Sequence, residues 1–459
     1  MNRIQSLIEN DRRHFLHPSS PIKQVADKGP SAIFEEGHGI YLKDIHGNTY
    51  INGTSSLWNV NLGHGRKDLM DAAYKQMEKL EYNSCFNAFS HAPAINLAQK
   101  LAHITPENLN VSFFTSSGSE ANDTTYKLSR YYWISKGMPD KQKIISRNLA
   151  YHGVNIGATS ATGLKSFHEM SKPMAPGFLH APSPDCPNCE LGKEYPDCDI
   201  ACAHAVEELI QSEGSNTVAA MVLEPIQGGG GVIIPPKEYL QRIRKICDRQ
   251  NVLLIADEII TGFGRTGSMF CVEQYNISPD ILILAKGITS AYLPLGAVVL
   301  SDDIHQELVK NAPDTLPHGY TYSAHPTCCA VALEAIDILE REHIIDNVKK
   351  MEAVVLGVLE NIKNDFPIVD NTRAKGLISA IEFKKPDGKN FDKELSVSKK
   401  IYQKAFEKGL IIRPIAFASD ILAFAPPLII NDQQIRQSGD ILNDAIDEVY
   451  QELKSGAQI

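Results

Sequence analysis

No stretch of this 459-residue chain stays apolar for the ~20 residues that a membrane-spanning helix requires, so no membrane role is expected. The opening residues, Met1 to Arg13, are polar and charged and lack the apolar centre of a secretory signal. Blocks of basic charge are missing as well. The 45 Lys and Arg stand against 55 Asp and Glu, a net charge of −10, which argues against nucleic-acid and anionic-membrane partners. Tryptophan occurs only twice. Cysteine occurs nine times, an odd count; without a secretory signal this points to reduced thiols and a cytoplasmic setting rather than a disulfide framework. What remains is 43% apolar and 22% charged residues, the make-up of a globular enzyme, at a length that predicts two or three lobes and shows no internal repeat.

Three short apolar runs each end on an ionisable residue. Val218–Leu223 ends on Glu224, Val252–Ala256 on Asp257, and Ile281–Ala285 on Lys286. Runs of this length without polar alternation read as strands buried on both faces. The spacings from Glu224 to Asp257 and from Asp257 to Lys286 are 33 and 29 residues, each about one βαβ unit, so the strands are expected to be parallel neighbours. All three side chains then lie at carboxyl ends of one sheet, where open α/β sheets hold their ligands. A lysine in that position is partly desolvated, which favours the neutral, nucleophilic amine and suits it to a Schiff base with an aldehyde.

Other segments supply a phosphate-site layout and candidate walls. Residues 1 to about 35 read as an arm with a short helix over Ile4–Phe15, and Ile40–Gly53 reads as a hairpin turning at Gly47-Asn48. Ser55–Arg66 is predicted as a loop carrying Trp58, either a lobe-junction plug or a site wall. Helices are expected over Lys67–Leu80 and Pro93–Leu101. Val111–Phe114 is a strand that runs into Ser117-Gly118-Ser119-Glu120-Ala121-Asn122 and a helix to about Trp133. Strand, small polar turn and helix start offer unpaired N–H groups to an anion, although Ser119 also reads as an ordinary N-cap. Lys143–Ser146 leads to Tyr151-His152-Gly153, where an aromatic side chain at a strand end can stack on a flat ring. Residues 171–205 look irregular. Cys186, Cys189, Cys198 and Cys202 form C-x2-C-x8-C-x3-C there, with free thiols favoured over zinc. Helices follow at Lys237–Arg249 and Thr327–Arg341, a strand at Leu295–Leu300, and beyond about 345 the pattern suggests a smaller α+β lobe.

With Lys286, Asp257 and the Ser117-Gly118-Ser119 turn assembled, the chain resembles the class III aminotransferases over nearly its whole length. The motifs are Ser117–Asn122, Tyr151-His152-Gly153, Glu224-Pro225, Asp257-Glu258 with Gly262–Gly267, Ala285-Lys286-Gly287 and Thr321-Tyr322-Ser323. Within the class it looks most like the ω-amino acid:pyruvate transaminases. The resemblance implies a fold type I α/β architecture: a large domain with a mostly parallel seven-stranded sheet over 61–325, a smaller α+β domain over 326–459, and residues 1–60 as an arm and part of the small domain. It implies pyridoxal 5'-phosphate (PLP) as cofactor, no metal, and a homodimer or dimer of dimers with shared sites.

The resemblance also implies roles. Lys286 would bind the PLP aldehyde and move the proton, and Asp257 would pair with the pyridinium nitrogen. Ser117, Gly118 and Ser119 would hold the phosphate, with Thr321 reaching the site of the neighbouring subunit. Tyr151 and Ile259 would flank the ring with His152 and Glu224 beside it. Trp58, Tyr151 and Arg413 would meet the substrate, Arg413 as a mobile arginine that Glu224 could neutralise. The expected reaction passes an amino group from an ω-amino acid or amine, taurine or β-alanine for choice, to pyruvate in two half-reactions. Donors such as 4-aminobutyrate, a diamine or a general amine are the alternative; a PLP decarboxylase, aminomutase or racemase, or a non-catalytic PLP-binding protein, stand behind them. Ala150, Ala291 and Ala324 replace usual glycines, which predicts altered loop geometry wherever φ is positive.

Overall fold

The computed structural model describes residues 2–312, 315–415 and 420–459. The arm is two helices, Arg3–His14 and Ile22–Lys28, neither of which buries a residue. Strands β1 (Phe34–His38), β2 (Tyr41–Asp44) and β3 (Thr49–Asn52) follow as an antiparallel meander. The expected hairpin is therefore present, but its turn is the longer 45–48 segment rather than two residues. The Asp44 carboxylate organises it, accepting from the backbone N–H groups of His46 and Asn48, both at 2.9 Å.

The apolar runs form the centre of the molecule. Seven strands lie side by side in the order β4 (Leu109–Thr115), β10 (Gly296–Ser301), β9 (Ile281–Leu284), β8 (Leu253–Asp257), β7 (Val218–Leu223), β5 (Lys143–Arg147) and β6 (Phe178–Ala181). The five from β9 to β6 are parallel; β10 runs antiparallel to both β9 and β4. Side chains alternate between two apolar layers. Met221, Leu223, Leu254, Ala256, Leu282 and Leu284 enter one, and Val222, Leu253, Ile255, Ile281 and Ile283 the other. Each buried Leu, Ile or Val contributes roughly 1.5–3 kcal/mol, so the strands tolerate the cost of an ionisable residue at each tip. The Gly118–Ser135 helix covers the second layer with Ala121, Tyr126, Leu128 and Trp133.

The stretch expected to be irregular, 171–205, contains the edge strand β6. Its pattern was hidden because β6 is short, only partly buried, and interrupted by His180. The C-terminal part is a second antiparallel sheet, β11 (Val369–Lys375), β12 (Ile378–Phe383), β15 (Asp420–Phe424) and β14 (Arg413–Ile415), with the Ile344–Asp365 and Asp432–Ser455 helices. The short strand β13 (Leu410–Ile411) joins the first sheet instead, parallel to β3 through Leu410 opposite Ile51. Among the described residues, no helix is long and apolar enough to cross a membrane.

Candidate active site

β7, β8 and β9 stop almost in register, with Leu223 opposite Ala256 and Asp257 opposite Ile283. Glu224, Asp257 and Lys286 therefore open onto one edge, beneath a cavity of about 810 Å3. Its lining includes Ser117, Gly118, Ser119, Tyr151, His152, Glu224, Asp257, Ile259, Lys286, Trp58 and Arg413. Of the cofactor and substrate residues that the resemblance implies, Thr321 alone lies outside this lining. Its side chain is exposed and its carbonyl accepts from the Tyr82 hydroxyl at 2.6 Å.

Lys286 opens a short helical turn with a left-handed backbone, φ 43°. Desolvation lowers its pKa to about 8; Asp257 and Glu224 oppose that shift and Arg413 adds to it. Asp257 is buried and fully engaged. Its Oδ2 meets His152 Nδ1 at 2.8 Å and accepts from Asn122 Nδ2 at 3.1 Å, and its Oδ1 accepts from the Ile259 N–H at 3.1 Å. Glu224 accepts from the backbone N–H groups of Tyr151 at 2.9 Å and Gly228 at 3.0 Å. Burial pushes its pKa up and the charge of Asp257 adds to that, against His152, the Tyr151 amide and Arg147. Glu224 is thus held by amides rather than by Arg413.

The helix start is as laid out in the sequence, with one exchange of roles. Ser117, not Ser119, is the N-cap, accepting from the Glu120 N–H at 3.2 Å. Ser119 Oγ instead accepts from the Val154 N–H at 3.1 Å and faces the cavity. A side chain at Gly118 would stand 2.7 Å from Ile259 Cδ1, so the glycine keeps this wall thin where the helix amides open.

The Trp58 loop is more ordered than its sequence suggested. Ser55, Ser56 and Trp58 all have positive φ, at 46°, 60° and 64°. Such residues cost on the order of 1–3 kcal/mol each and persist only where neighbours overdetermine them. Here Asn52 Oδ1 accepts from the Ser56 N–H at 2.7 Å, and Ser55 Oγ donates to the Ala425 carbonyl at 2.7 Å. The fully buried Arg265 donates to Ser55 Oγ at 3.0 Å, to Asn61 Oδ1 at 2.9 Å and to the Leu377 carbonyl at 2.9 Å. Desolvation lowers its pKa to about 9. Arg413 lies on β14, half-buried, its pKa lowered by burial with Tyr151 opposing, and no ion pair joins it to a carboxylate among the described residues.

A lysine amine, a fixed carboxylate and an open helix start on one cavity narrow the chemistry, and comparison with known proteins names it. The family model described as aminotransferase class-III matches residues 23–446. The chain is a class III aminotransferase. It is 39% identical to the putrescine–pyruvate aminotransferase of Pseudomonas aeruginosa over 95% of each chain. A transaminase from the marine bacterium Virgibacillus superposes with a TM-score of 0.94 at 45% identity, over 98% of this chain and 100% of that one. An (S)-enantioselective omega-transaminase from Thermomicrobium roseum gives 0.92 at 38% identity, over 99% of both. The fold is thus that of the fold type I PLP-dependent transaminases.

Class III aminotransferases use PLP, and the residues of this aminotransferase fit that group. The cavity offers an amine of lowered pKa for an aldehyde, a buried carboxylate for a ring nitrogen, and a thin-walled helix start for a phosphate. Sequence reasoning missed several residues of the site. Asn122, buried behind the lining, was within the quoted motif, and its place four residues after Gly118 on one helix face would have put it beside Asp257. Pro18, Ser19, Leu57 and Phe167 line the cavity itself, from segments whose spacing carries no signal. Among the described residues no group of three or more His, Cys, Asp or Glu is gathered to hold a metal. Cys202 is buried and Cys186 exposed. The same segment braces its surroundings through Asn188, which donates to Glu382 Oε1 at 3.0 Å, and Glu190, which accepts from the Ser183 N–H at 2.9 Å.

Proposed function

We propose that this enzyme is an ω-transaminase that moves the amino group of a primary amine with a neutral, apolar far end to pyruvate, releasing alanine. The reading rests on one observation: Lys286, whose amine pKa burial lowers to about 8, shares a cavity with Arg413, a guanidinium that no carboxylate pairs among the described residues. Bound PLP supplies an electron sink and carries the amino group between the two half-reactions.

The chain's own residues do the rest. Lys286 holds the cofactor's aldehyde and moves the proton between donor carbon and cofactor. Asp257, pinned by His152 and Asn122, keeps a negative charge at the ring nitrogen. Gly118 and Ser119 offer N–H and O–H donors to the phosphate, with Ser117 holding the helix start in shape. Tyr151 and Ile259 flank the ring. Thr321 acts on the site of a second subunit, which makes the working unit a dimer or a multiple of one. The same reading divides the chain at about 60 and 325.

Arg413 takes the keto-acid carboxylate bidentately. Leu57, Trp58 and Phe167 add apolar side chains to the lining, so a neutral donor is accepted without an unpaired charge. The lining carboxylates, Glu224 and Asp257, are already engaged, so the second ammonium of a diamine finds no free partner. A taurine or β-alanine donor is the second reading, because its anionic end could use Arg413, which no carboxylate among the described residues pairs. Alanine formation from pyruvate with 1-phenylethylamine, putrescine, taurine and β-alanine separates these; preference for taurine or putrescine would replace the first reading. Lys286→Ala should abolish the visible band and turnover, and sustained multiple turnover would refute the assignment.

A further inference from the structure

His152 contacts Asp257 through Nδ1, but its Nε2 is buried and has no hydrogen-bond partner. A second imidazole shows the same defect. His180, on the edge strand β6, also has a buried, unpartnered Nε2. Orphaned buried nitrogens are costly and rare in native interiors. Two of them near one cofactor site call for a common explanation.

Thr162 neighbours both histidines. The backbone N–H of His152 donates to Thr162 Oγ1 at 2.9 Å. His168 Nε2 bonds the Thr162 carbonyl at 2.6 Å, and its ring centre lies 6.0 Å from that of His180. The backbone of Ala161 and Thr162 hydrogen-bonds His180, which is also close enough to feel His152 electrostatically. Burial favours the neutral form of His180, and the nearby imidazoles of His168 and His152 push the same way. A neutral imidazole that gives its Nδ1 hydrogen away presents a bare Nε2, an acceptor. If His152 donates its own Nδ1 hydrogen to Asp257, its Nε2 is an acceptor too. One water donating both hydrogens satisfies the pair.

We propose that His180 is a positioning residue for the cofactor: joined to His152 Nε2 through one buried water, it holds His152 in the tautomer whose Nδ1–H donates to Asp257. The inference rests on the PLP reading above. Without that link His152 can place its hydrogen on Nε2 and turn a lone pair toward Asp257, which weakens the carboxylate's hold on a ring nitrogen. Other ionisable groups facing the row are Glu224 beyond β7, Tyr126 and Asp123 on the Gly118–Ser135 helix, and His168. None of them touches His152 Nε2.

The test is a pH titration of the visible band of the holoenzyme, with cofactor release on dilution as a second readout. His180→Leu, with His180→Phe as a second apolar shape, should raise the midpoint by half a unit or more and speed PLP release about five- to tenfold. His180→Asn, which keeps an acceptor, should stay near wild type on both. An unchanged midpoint in a folded Leu or Phe variant overturns the proposal, and so does an Asn variant as altered as they are. A visible band that survives Lys286→Ala in the otherwise unaltered protein would instead sink the PLP assignment, so the two failures are distinct.

Discussion

Lys286 is poised by its surroundings rather than by its type. An exposed lysine amine is mostly protonated until about pH 10.4, whereas burial brings this one to about 8. Since only the neutral amine attacks an aldehyde, the rate at which apoenzyme takes up PLP should rise with pH and reach half its plateau near pH 8. Stopped-flow absorbance checks this, and a half-rise near 10.5 would contradict the desolvated setting. Arg413 is its counterpart in the same cavity. Its replacement by Ala should raise the KM for pyruvate roughly ten- to a hundred-fold, the worth of a charge-assisted pair at about 1.5–3 kcal/mol. The KM for a neutral amine should move less than about threefold; equal losses on both sides would remove Arg413 from acceptor binding.

At the scale of single elements, the two alanines that stand in for glycine are measurable strains. Ala291 and Ala324 adopt φ of 65° and 57°, as feared from the sequence, while at the third position the positive φ falls on Leu149 rather than Ala150. A left-handed non-glycine residue costs roughly 1–2 kcal/mol, against about 0.4–1 kcal/mol for the extra unfolded-state freedom of glycine. Ala324→Gly should therefore raise the stability of the holoenzyme slightly, by about 0.5 kcal/mol, visible as a higher melting temperature. A lower one would mean that the Ala324 methyl packs for more than its backbone loses. The same element scale explains what could be read beforehand. Buried strands with two apolar faces, such as Val218–Leu223, and helices with a 3.6-residue pattern, such as Lys67–Lys79, declare themselves. The strands β6, β11, β13 and β14 do not, because they are short or polar and are fixed by partners far away in the chain. For the site, residues at ends of strong strands were legible; those delivered by loops, Pro18, Leu57 and Phe167, were not, since only tertiary closure brings them in.

At the scale of the whole molecule, Thr321 and the rings of Phe86, Phe89 and Tyr322 are exposed, as the proposed dimer requires. If Thr321 serves the opposite site, Thr321→Asp should expel PLP by setting a negative charge beside its phosphate. Unfolding and refolding it together with the Lys286→Ala chain should then restore hybrid dimers with one good site each, roughly a quarter of wild-type sites for equal mixing in a symmetric pair. No recovery, from mixtures shown to exchange chains, would confine the site to one subunit. The pairing of β3 with β13 carries another meaning. Ile51 gives its N–H to the Gly409 carbonyl at 2.8 Å, across most of the sequence. During translation, the segment leading to Trp58 emerges early and must wait for nearly the entire polypeptide before its neighbouring strand exists. A ribosome stalled before residue 410 therefore holds a nascent chain whose amine-binding wall is unfinished, and a helper that shields apolar surface is needed longest for the part of the protein made first.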